Sequence, residues 1–346
     1  MSSRDSKRRI TIIQVAEACN VSTQTVSRVI NNRTDVSAET RQRILEAINR
    51  LNYQPNALAR SLIHRRTNTI GVVTSGIDYF GPSSILMGIE QQASRMGYSL
   101  SLNLLHDPAS TDGHEMLSGL ISRQVDGIIW AVPEIGNNLS WVSEKLTRLS
   151  LPILFINATS TYAATTVRID NRMGSKLAVE HLLQQGRKSV GLITGPLDWL
   201  EATERKIGWH ETLLANHIAP KEEWIALGDW SARSGEAAMH RLLQQCPDLD
   251  AVFVSNDQMA LGALKAASEL GKRVPHDLAI VGFDDIPEAS YFQPPLTTVH
   301  QPLRELGVHA LKLLIQLINE DAESTQSAAI EPALLLPELV IRRSSV

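Results

Sequence analysis

The stretch Thr11-Ile-Ile-Gln-Val-Ala-Glu-Ala-Cys-Asn-Val-Ser-Thr-Gln-Thr-Val-Ser-Arg-Val-Ile-Asn31 predicts two short helices joined by a tight turn. Thr11 and Gln14 have the spacing of a capping box, which starts a helix. Asn20 falls where the turn needs a left-handed backbone, and Asn tolerates that conformation better than other non-glycine residues. Ser22 can cap the second helix. The stretch therefore predicts a helix-turn-helix.

The second helix of this motif has an apolar and a polar face. Val26, Val29 and Ile30 recur at helical spacing and are expected to pack inward. The residues left outward are Thr23, Gln24, Ser27 and Arg28. In a helix-turn-helix this helix enters the DNA major groove, where Gln pairs well with adenine and Arg with guanine or with a phosphate. For Arg28 the choice between base and phosphate stays open.

Beyond the helix-turn-helix, characteristic sequence blocks occur in order over nearly the whole chain. The first are V-A-E-x-x-x-V-S-x-Q-T-V-S-R-V-x-N from Val15, V-S-x-x-T-R from Val36 and L-N-Y-x-P-N at Leu51–Asn56. The later ones are Gly195-Pro-Leu, Gly208-Trp-His, Gly228-Asp-Trp-Ser231, Ser255-Asn-Asp-Gln-Met-Ala-Leu-Gly-Ala263, Val281-Gly-Phe-Asp-Asp285 and Pro294-Pro-Leu-Thr-Thr298. This set resembles the lactose-repressor family of bacterial regulators. The resemblance implies a repressor of a sugar-utilisation operon that binds a pseudo-palindromic double-stranded operator as a homodimer.

The resemblance also divides the chain and assigns DNA contacts. It implies a DNA-binding head over residues 1–54, a hinge helix and linker over 55–68, and a body over 69–346. Side chains expected at phosphates, which set the register without reading sequence, are Thr11, Ser22, Ser27, Asn31 and Thr40. In the hinge, Asn56 would cap the helix and Ala59 would allow close helix approach. Leu62 aligns with the leucine that the family wedges into the minor groove, and Leu62→Ala is expected to lose operator affinity while sugar binding stays intact.

Charge is distributed unevenly along the chain. Residues 1–66 hold 12 Lys and Arg against 5 Asp and Glu, a net charge of +7, whereas the rest carries −11. A basic head on an acidic body suits a nucleic-acid-binding module joined to a part that does not touch nucleic acid.

Other sequence features restrict location and chemistry. The amino terminus lacks the apolar core of a signal peptide, and no apolar run approaches the ~18 residues of a membrane span. Cys19 and Cys246 fall in different predicted domains and are expected to be small buried residues of a reduced, cytoplasmic, nucleoid-associated protein. Neither metal-site spacing nor a catalytic motif is present, so we expect no metal, no cofactor and no enzyme activity.

From Thr69 onward, strands alternate with amphipathic helices in two similar sets, which predicts a two-lobed α/β body of doubly wound parallel sheets, like a periplasmic binding protein. The expected first lobe spans about 69–168 plus 299–326, and the second about 169–298 plus 327–346. The resemblance implies that the chain crosses back after Pro295, so that Thr297–Glu320 joins the first lobe and the final strand the second. Ligands of such sheets bind at the carboxyl ends of the strands.

Candidate effector-binding side chains fall at those strand ends. A sugar needs planar groups that donate and accept at neighbouring hydroxyls, and an aromatic face for its C–H side. The polar candidates are Arg205, Asn256, Asp284 and Gln301, with Trp230 as the stacking platform, and the remaining ones are Ser75, Tyr79, Pro82, Ala131, Asn157 and Trp199. Asp284 is interpreted as a pocket acceptor and Asp285 as structural, because adjacent residues at a strand end point to opposite sides.

At several positions the sequence departs from the family pattern, which limits how far the family's ligand contacts can be assigned to this chain. Ala131 stands where the lactose-repressor pattern has an asparagine, Asn157 where it has an aspartate, and Trp199 and Glu201 where it has serines. Trp199, placed beside Trp130, is expected to change the shape of the pocket. A galactoside or another mono- or oligosaccharide therefore stays open as effector, and so does a co-repressor that strengthens DNA binding. A solute-binding protein and a hydrolase using Asp284 are weaker alternatives. The chain stops at Val346 without a leucine heptad tail, which favours a dimer.

Overall fold

The structure is a computed structural model that describes residues 10–30, 33–53, 66–107, 109, 113–142, 151–159, 165–323 and 333–346. The chain divides into two compact units, Met1–Thr67 and Asn68–Val346. In the second unit, no described helix combines the length and apolar character that crossing a membrane requires, and the same holds for the described helices of the first.

The first unit contains the predicted helix-turn-helix, with α1 (Ile12–Ala18), α2 (Thr23–Ile30) and α3 (Ala38–Leu51). The capping box is present: the Gln14 amide donates to Thr11 Oγ1, and the Thr11 amide donates to Gln14 Oε1 at 2.9 Å. Asn20 has the expected left-handed backbone, with φ of 51°. Ser22 Oγ accepts from the Thr25 amide at 3.1 Å, which confirms its predicted role as a cap.

Side chains of all three helices form the small core of this unit: Val15, Ala16, Cys19, Val26, Val29, Ile44 and Ala47. The spacing of apolar residues in α3 predicts a buried stripe of Ile44, Leu45, Ile48 and Leu51, and this is wrong at one position, because Leu45 is 42% exposed and Ala47 is buried instead. Positions 44, 47, 48 and 51 share one side of a helix, whereas position 45 lies about 100° further round. The predicted hinge helix falls within residues 54–65, which lie outside the described residues.

The first lobe of the body is built on a parallel sheet with the strand order β11-β5-β4-β3-β1-β2. Its strands are β1 (Thr69–Thr74), β2 (Ser99–Leu104), β3 (Gly127–Ala131), β4 (Ile153–Ile156), β5 (Thr165–Ile169) and β11 (Ala333–Leu335). The helices α4 (Phe80–Arg95) and α10 (Leu303–Glu323) cover one face, and α5 (Gly113–Ser122) covers the other. Aliphatic side chains fill the first of these faces, and aliphatic side chains with Trp130, Trp141 and Phe155 fill the second, so both faces are buried as in a doubly wound fold.

The second lobe repeats this architecture with the strand order β12-β10-β9-β8-β6-β7, in which only the β10–β12 pair is antiparallel among the described strands. Its strands are β6 (Val190–Thr194), β7 (Ile225–Leu227), β8 (Ala251–Val254), β9 (Ala279–Asp284), β10 (Thr297–His300) and β12 (Glu338–Val340), and its helices are α6 (Asn171–Gln184), α7 (Leu200–Ala215), α8 (Ala232–Gln245) and α9 (Asp257–Glu269).

Helices lie on both faces of this second sheet. A Cβ at Gly174 of α6 would meet the Phe283 ring at 2.7 Å, whereas a Cβ at Gly282 would meet Asp257 of α9 at 2.2 Å. Residues 282 and 283 are neighbours on β9 and point to opposite faces. The helices α6 and α9 therefore sandwich the sheet.

The chain crosses between the lobes at different points from those expected. Thr297–His300 forms β10, which pairs with β9 in the second sheet, so the crossing to the first lobe follows His300 and not Pro295. Ala333–Leu335 pairs with β5 in the first sheet, so residues 327–346 do not all belong to the second lobe. Both corrections arise because short strands are assigned to a sheet by their distant partners and not by their own sequence.

Two local expectations also need correction. The strand β5 was not foreseen, because Thr166 and Arg168 interrupt its apolar residues. The amphipathic pattern of the sequence predicts a helix over about 138–149, but residues 137–141 form turns, and 143–150 lie outside the described part. Asn138 holds this turn: its side chain accepts from the Ile135 amide and donates to the Pro133 carbonyl.

Candidate functional site

The first unit presents the polar face of α2 to solvent. Thr23, Gln24 and Arg28 are exposed and Ser27 is half-buried, while Val26 and Val29 between them are buried. Arg28 Nη1 lies 3.5 Å from Asp35 Oδ2, with both side chains about half exposed. An ion pair this exposed is worth ~0–1 kcal/mol, so Asp35 holds the Arg28 side chain only weakly.

The other residues predicted at DNA have distinct local roles. Thr11 and Ser22 are exposed and cap α1 and α2, so each stands at a helix amino terminus, where backbone amides favour a phosphate. Thr40 is half-buried at the start of α3 and accepts a hydrogen bond from Ser37 Oγ at 2.9 Å. Asn31, Asn56, Ala59 and Leu62 lie outside the described residues.

In the body, a cleft with about 750 Å³ of empty space, part of it open to solvent, lies at the carboxyl ends of the strands of both sheets. Predicted residues that line it are Tyr79, Pro82, Ala131, Asn157, Trp199, Arg205, Trp230, Asn256, Asp284 and Gln301. The lining is completed by Phe80, Gly81, Ile85, Pro133, Ile156, Glu201, Gln258 and Leu303. Both lobes thus contribute walls, as the position of the strand ends predicts.

Ser75 is the predicted residue that does not line the cleft. It is buried, at 2% exposed, directly after β1, and its hydroxyl has no hydrogen-bond partner among the described residues. Gly76, with φ of 58°, then turns the chain, so that Tyr79 and the first turn of α4 form this wall of the cleft.

Arg205 is the central cation of the cleft and is 4% exposed. Its Nε donates to Asn171 Oδ1 at 2.8 Å, its Nη1 donates to the Ser255 carbonyl, and Nη1 lies 3.8 Å from Asp284 Oδ1. The guanidinium also covers the Phe283 ring, with Cζ 3.8 Å from the ring centroid. Burial lowers the pKa of Arg205, although the nearby carboxylates, Asp284 first among them, act in the opposite direction.

Asp284 and Asp285 diverge as the sequence predicts. Asp284 lines the cleft and accepts from Gln301 Nε2 at 2.6 Å, while Asp285 accepts from Arg342 at 2.7 Å and lies 3.1 Å from His300 Nδ1. Burial raises the pKa of Asp284 to about 6, against the opposing effects of Arg205 and Gln301. The two carboxylates are thus engaged with different partners and are not an acid/base pair.

An aromatic cluster, Tyr79, Trp199 and Trp230, lines one side of the cleft. The ring centroids of Trp199 and Trp230 are 5.8 Å apart, and those of Tyr79 and Trp199 are 6.3 Å apart, both in edge-to-face arrangements. Trp130, expected beside Trp199, instead packs on Trp141 at 5.0 Å inside the first lobe. Trp130 and Ala131 alternate along β3, so only Ala131 of the two faces the cleft.

Asn256 links two helices that border the cleft. Its Oδ1 caps α9 by accepting from the Met259 amide at 2.9 Å, and its Nδ2 donates to the Trp230 carbonyl at 3.0 Å. Trp230 has a left-handed backbone, with φ of 73°, directly before α8. Asn256 therefore holds Trp230 in position as well as lining the cleft.

Glu201 is a cleft residue that the sequence analysis noted only as a departure from the family pattern. It lies in the first turn of α7, and its Oε2 is buried with no hydrogen-bond partner among the described residues. Burial raises its pKa, while a hydrogen bond to its own backbone, Arg205 and a hydrogen bond from Asn157 lower it. The sequence signal for a role of Glu201 is that a glutamate stands where the family pattern has a serine.

Backbone hydrogen bonds also join the lobes at the edge of the cleft. The Leu200 amide donates to the Glu134 carbonyl at 3.0 Å, and the Gly136 amide donates to the Asp198 carbonyl at 2.9 Å, around an antiparallel bridge between Ile135 and Trp199. The loop that carries Trp199 is thereby attached to the opposite lobe.

These features define the class: a helix-turn-helix protein with a two-lobed ligand-binding body. Residues 11–56 match the family model of bacterial regulatory proteins of the lacI family, and residues 179–345 match that of the periplasmic binding protein-like domain. The chain is 34% identical over 336 residues to the lactose operon repressor of Escherichia coli, covering 97% of this chain and 90% of that protein. It is 38% identical over 338 residues to the transcriptional repressor PurR of Mannheimia succiniciproducens, covering 96% and 98%.

Two solved structures of regulators are similar to this chain in both fold and sequence. The lac repressor dimer bound to operator and the anti-inducer ONPF matches with a TM-score of 0.88 at 33% identity, covering 98% of this chain and all of that one. The regulator CelR in complex with cellobiose matches with a TM-score of 0.68 at 32% identity, covering 97% and 100%. The chain belongs to the lacI family of bacterial regulatory proteins and is a DNA-binding transcriptional repressor of that family.

Proposed function

We propose that this repressor controls a sugar-utilisation operon and that a saccharide bound in the cleft releases it from its operator. The observation that carries the proposal is the composition of the cleft, where Arg205, Asp284 and Gln301 line the same cleft as an aromatic cluster, with Arg205 Cζ 5.7 Å from the centroid of the Trp230 ring. The protein acts as a homodimer on a pseudo-palindromic operator, in the cytoplasm, with two heads that contact successive major grooves.

A saccharide fits this lining because its hydroxyls both donate and accept. Asp284 and Gln301 offer acceptors and donors fixed by their mutual hydrogen bond, and Arg205 offers donors fixed by Asn171. Trp230 supplies a flat apolar surface for the C–H face of a pyranose ring. When a saccharide binds, its hydroxyls lose their hydrogen bonds to water. Pre-organised polar groups beside an aromatic ring replace those hydrogen bonds.

Release of DNA follows if the ligand binds one arrangement of the lobes better than the other. Tyr79, Pro82 and Asn157 come from the first lobe, and Arg205, Trp230 and Asp284 from the second. A ligand that contacts both sets stabilises the arrangement in which they are closest. By linkage, operator and inducer must then weaken each other's binding by the same factor.

A reciprocal titration tests the proposal. An operator is selected from a random duplex library with the full-length protein, and fluorescence anisotropy then measures its affinity with and without each member of a sugar panel that includes galactosides and cellobiose. We expect at least one sugar to weaken operator binding about 5- to 150-fold, and the operator to weaken binding of that sugar equally. A panel in which every sugar that binds leaves the operator affinity unchanged contradicts release by sugar.

A co-repressor mechanism is the second candidate, favoured by the similarity to PurR proteins over 94–96% of the chain. In that case a small metabolite would strengthen operator binding, and the same titration gives the opposite sign. A solute-binding role without DNA contact is less favoured, because the basic helix-turn-helix unit would then have no purpose.

A further inference from the structure

We propose that Glu201 decides which ligands the cleft accepts: it selects uncharged polyols that donate a hydroxyl to its unpartnered oxygen, and it rejects sugar phosphates and sugar acids. This inference rests on the proposed function, because it takes the cleft as the sugar site. It adds the chemical class of the sugar and names the residue that distinguishes neutral from charged sugars.

The carboxylate of Glu201 has one unused hydrogen-bonding position. Asn157, directly after β4 in the opposite lobe, stabilises the charged form of this carboxyl group and so lowers its pKa. Glu201 Oε2 is buried and has no partner in the described part of the chain. A buried carboxylate oxygen without a donor is costly, so a ligand hydroxyl that reaches it gains a charge-assisted hydrogen bond.

The charges that line the cleft disfavour anions. Glu201 and Asp284 supply two carboxyl groups, and Arg205 is the one Lys or Arg side chain among the described lining residues. Arg205 is already engaged with Asn171, the Ser255 carbonyl and Asp284. A phosphate or carboxylate on the ligand would therefore meet two carboxyl groups and a single cation whose charge is already paired with Asp284, in a site where burial strengthens repulsion.

The surroundings of Glu201 fix where the donating hydroxyl must lie. Trp199 immediately precedes α7, and its ring contacts Trp230. A ligand that stacks on this aromatic surface presents the hydroxyls at its ring edge toward the first turn of α7. Asn157 and Glu201 also belong to different lobes, so a hydroxyl bound between them adds to the contact across the cleft.

The experiment compares neutral and charged forms of the same sugars by isothermal titration calorimetry on the full-length protein. Glucose is paired with glucose 6-phosphate, galactose with galacturonate, and cellobiose with cellobionate. The variants are the wild type, Glu201→Gln, which keeps the shape and removes the charge, and Glu211→Gln as a control. Glu211 lies on the same helix but is 60% exposed and contacts Arg172 at 3.7 Å.

We expect the wild type to bind the neutral member of a pair at least ~100-fold more tightly than the charged member. In Glu201→Gln, neutral binding should fall about 10-fold, as for loss of a charge-assisted hydrogen bond, and the neutral-to-charged ratio should fall by ~10-fold or more. Glu211→Gln should behave as the wild type.

Two results overturn the inference. One is a wild type that prefers the charged member of a pair, and the other is a ratio that Glu201→Gln leaves unchanged. If no saccharide of either kind binds although the selected operator does, the sugar site of the proposed function fails and the inference fails with it. Failure of the inference alone is recognised by sugar binding that persists without discrimination by charge.

Discussion

Gln301 Nε2 donates to Asp284 Oδ1 at 2.6 Å, and these two residues stand at the ends of the neighbouring parallel strands β10 and β9. Gln301 also lies where the chain leaves β10 for α10 and the first lobe. This hydrogen bond therefore joins a ligand-facing carboxylate to one of the segments that connect the lobes. A ligand that changes the partners of Asp284 acts directly on that connection.

The raised pKa of Asp284 predicts a pH dependence of stability. In the unfolded chain this carboxyl titrates near 3.8, and in the folded body near 6. The folded state thus holds its proton more tightly, so the stabilising contribution is complete below about pH 4 and is lost as the pH rises through about 6. For a buried group with this shift, the loss is on the order of 3 kcal/mol.

Thermal unfolding of wild type and Asp284→Asn between pH 4 and 8 measures this contribution. The wild type should lose stability relative to the variant across that range, with the largest change between pH 4 and 6. Asp257, whose pKa is raised by burial and also by Asp284, is present in both proteins, so the difference reports on Asp284 together with its effect on Asp257. Parallel pH profiles would show that Asp284 has no such shift.

Trp230 should supply the stacking surface for the effector. Trp230→Leu keeps an apolar side chain and removes the ring, so we expect sugar affinity to fall ~10-fold or more, while Trp230→Phe should lose less. Tyr291→Ala is the matched aromatic control, because Tyr291 is 83% exposed and does not line the cleft. Calorimetric titration measures the sugar affinity of each variant, and normal operator binding shows that each variant folds. Equal affinities for the leucine and phenylalanine variants would exclude stacking.

Local features of the sequence were sufficient to predict the head. Thr11 with Gln14, Asn20 and Ser22 each act through contacts within a few residues, and the structure contains all of these contacts. The positions of cleft residues at strand ends were also predictable, because the alternation of strands and helices fixes which edge of a sheet they share.

Features that depend on distant partners were not predictable. Nothing in Thr297–His300 indicates that it pairs with β9, and nothing in Ala333–Leu335 indicates that it pairs with β5. Trp199 was placed beside Trp130, but the alternation along β3 directs Trp130 away from the cleft. Glu201 could be noted as unusual, whereas its unpartnered oxygen is visible only in three dimensions.

Gln24 should read a base. It is exposed at the start of α2, where a bidentate contact to adenine is worth ~1–3 kcal/mol of discrimination. We expect Gln24→Ala to reduce the preference for the selected operator over random duplex about 5- to 150-fold, as measured by anisotropy. Gln42→Ala is the control, because Gln42 is exposed on α3 and pairs with Glu46 at 3.0 Å. Equal losses of operator and random binding would instead indicate a phosphate contact.

The close approach of α8 and α9 should be essential for the geometry of the cleft. A Cβ at Gly262 of α9 would lie 1.8 Å from the Ala232 carbonyl oxygen of α8, so a methyl group there must separate the helices. These helices begin beside Trp230 and Asn256, which are joined by a hydrogen bond of 3.0 Å. Gly262→Ala should therefore destabilise the body by ~1–3 kcal/mol and weaken sugar binding as well.

Gly119, in the same body, is a glycine whose replacement by alanine should stabilise the protein instead. It lies inside α5, and a Cβ there would meet nothing within 4 Å, so Gly119→Ala should stabilise the body by roughly 0.5–1 kcal/mol through helix propensity. Urea denaturation of both variants, followed by sugar titration, measures the two effects. A Gly262→Ala protein as stable as Gly119→Ala would mean that α8 and α9 can separate without cost, and that their contact does not hold Trp230 and Asn256 in place.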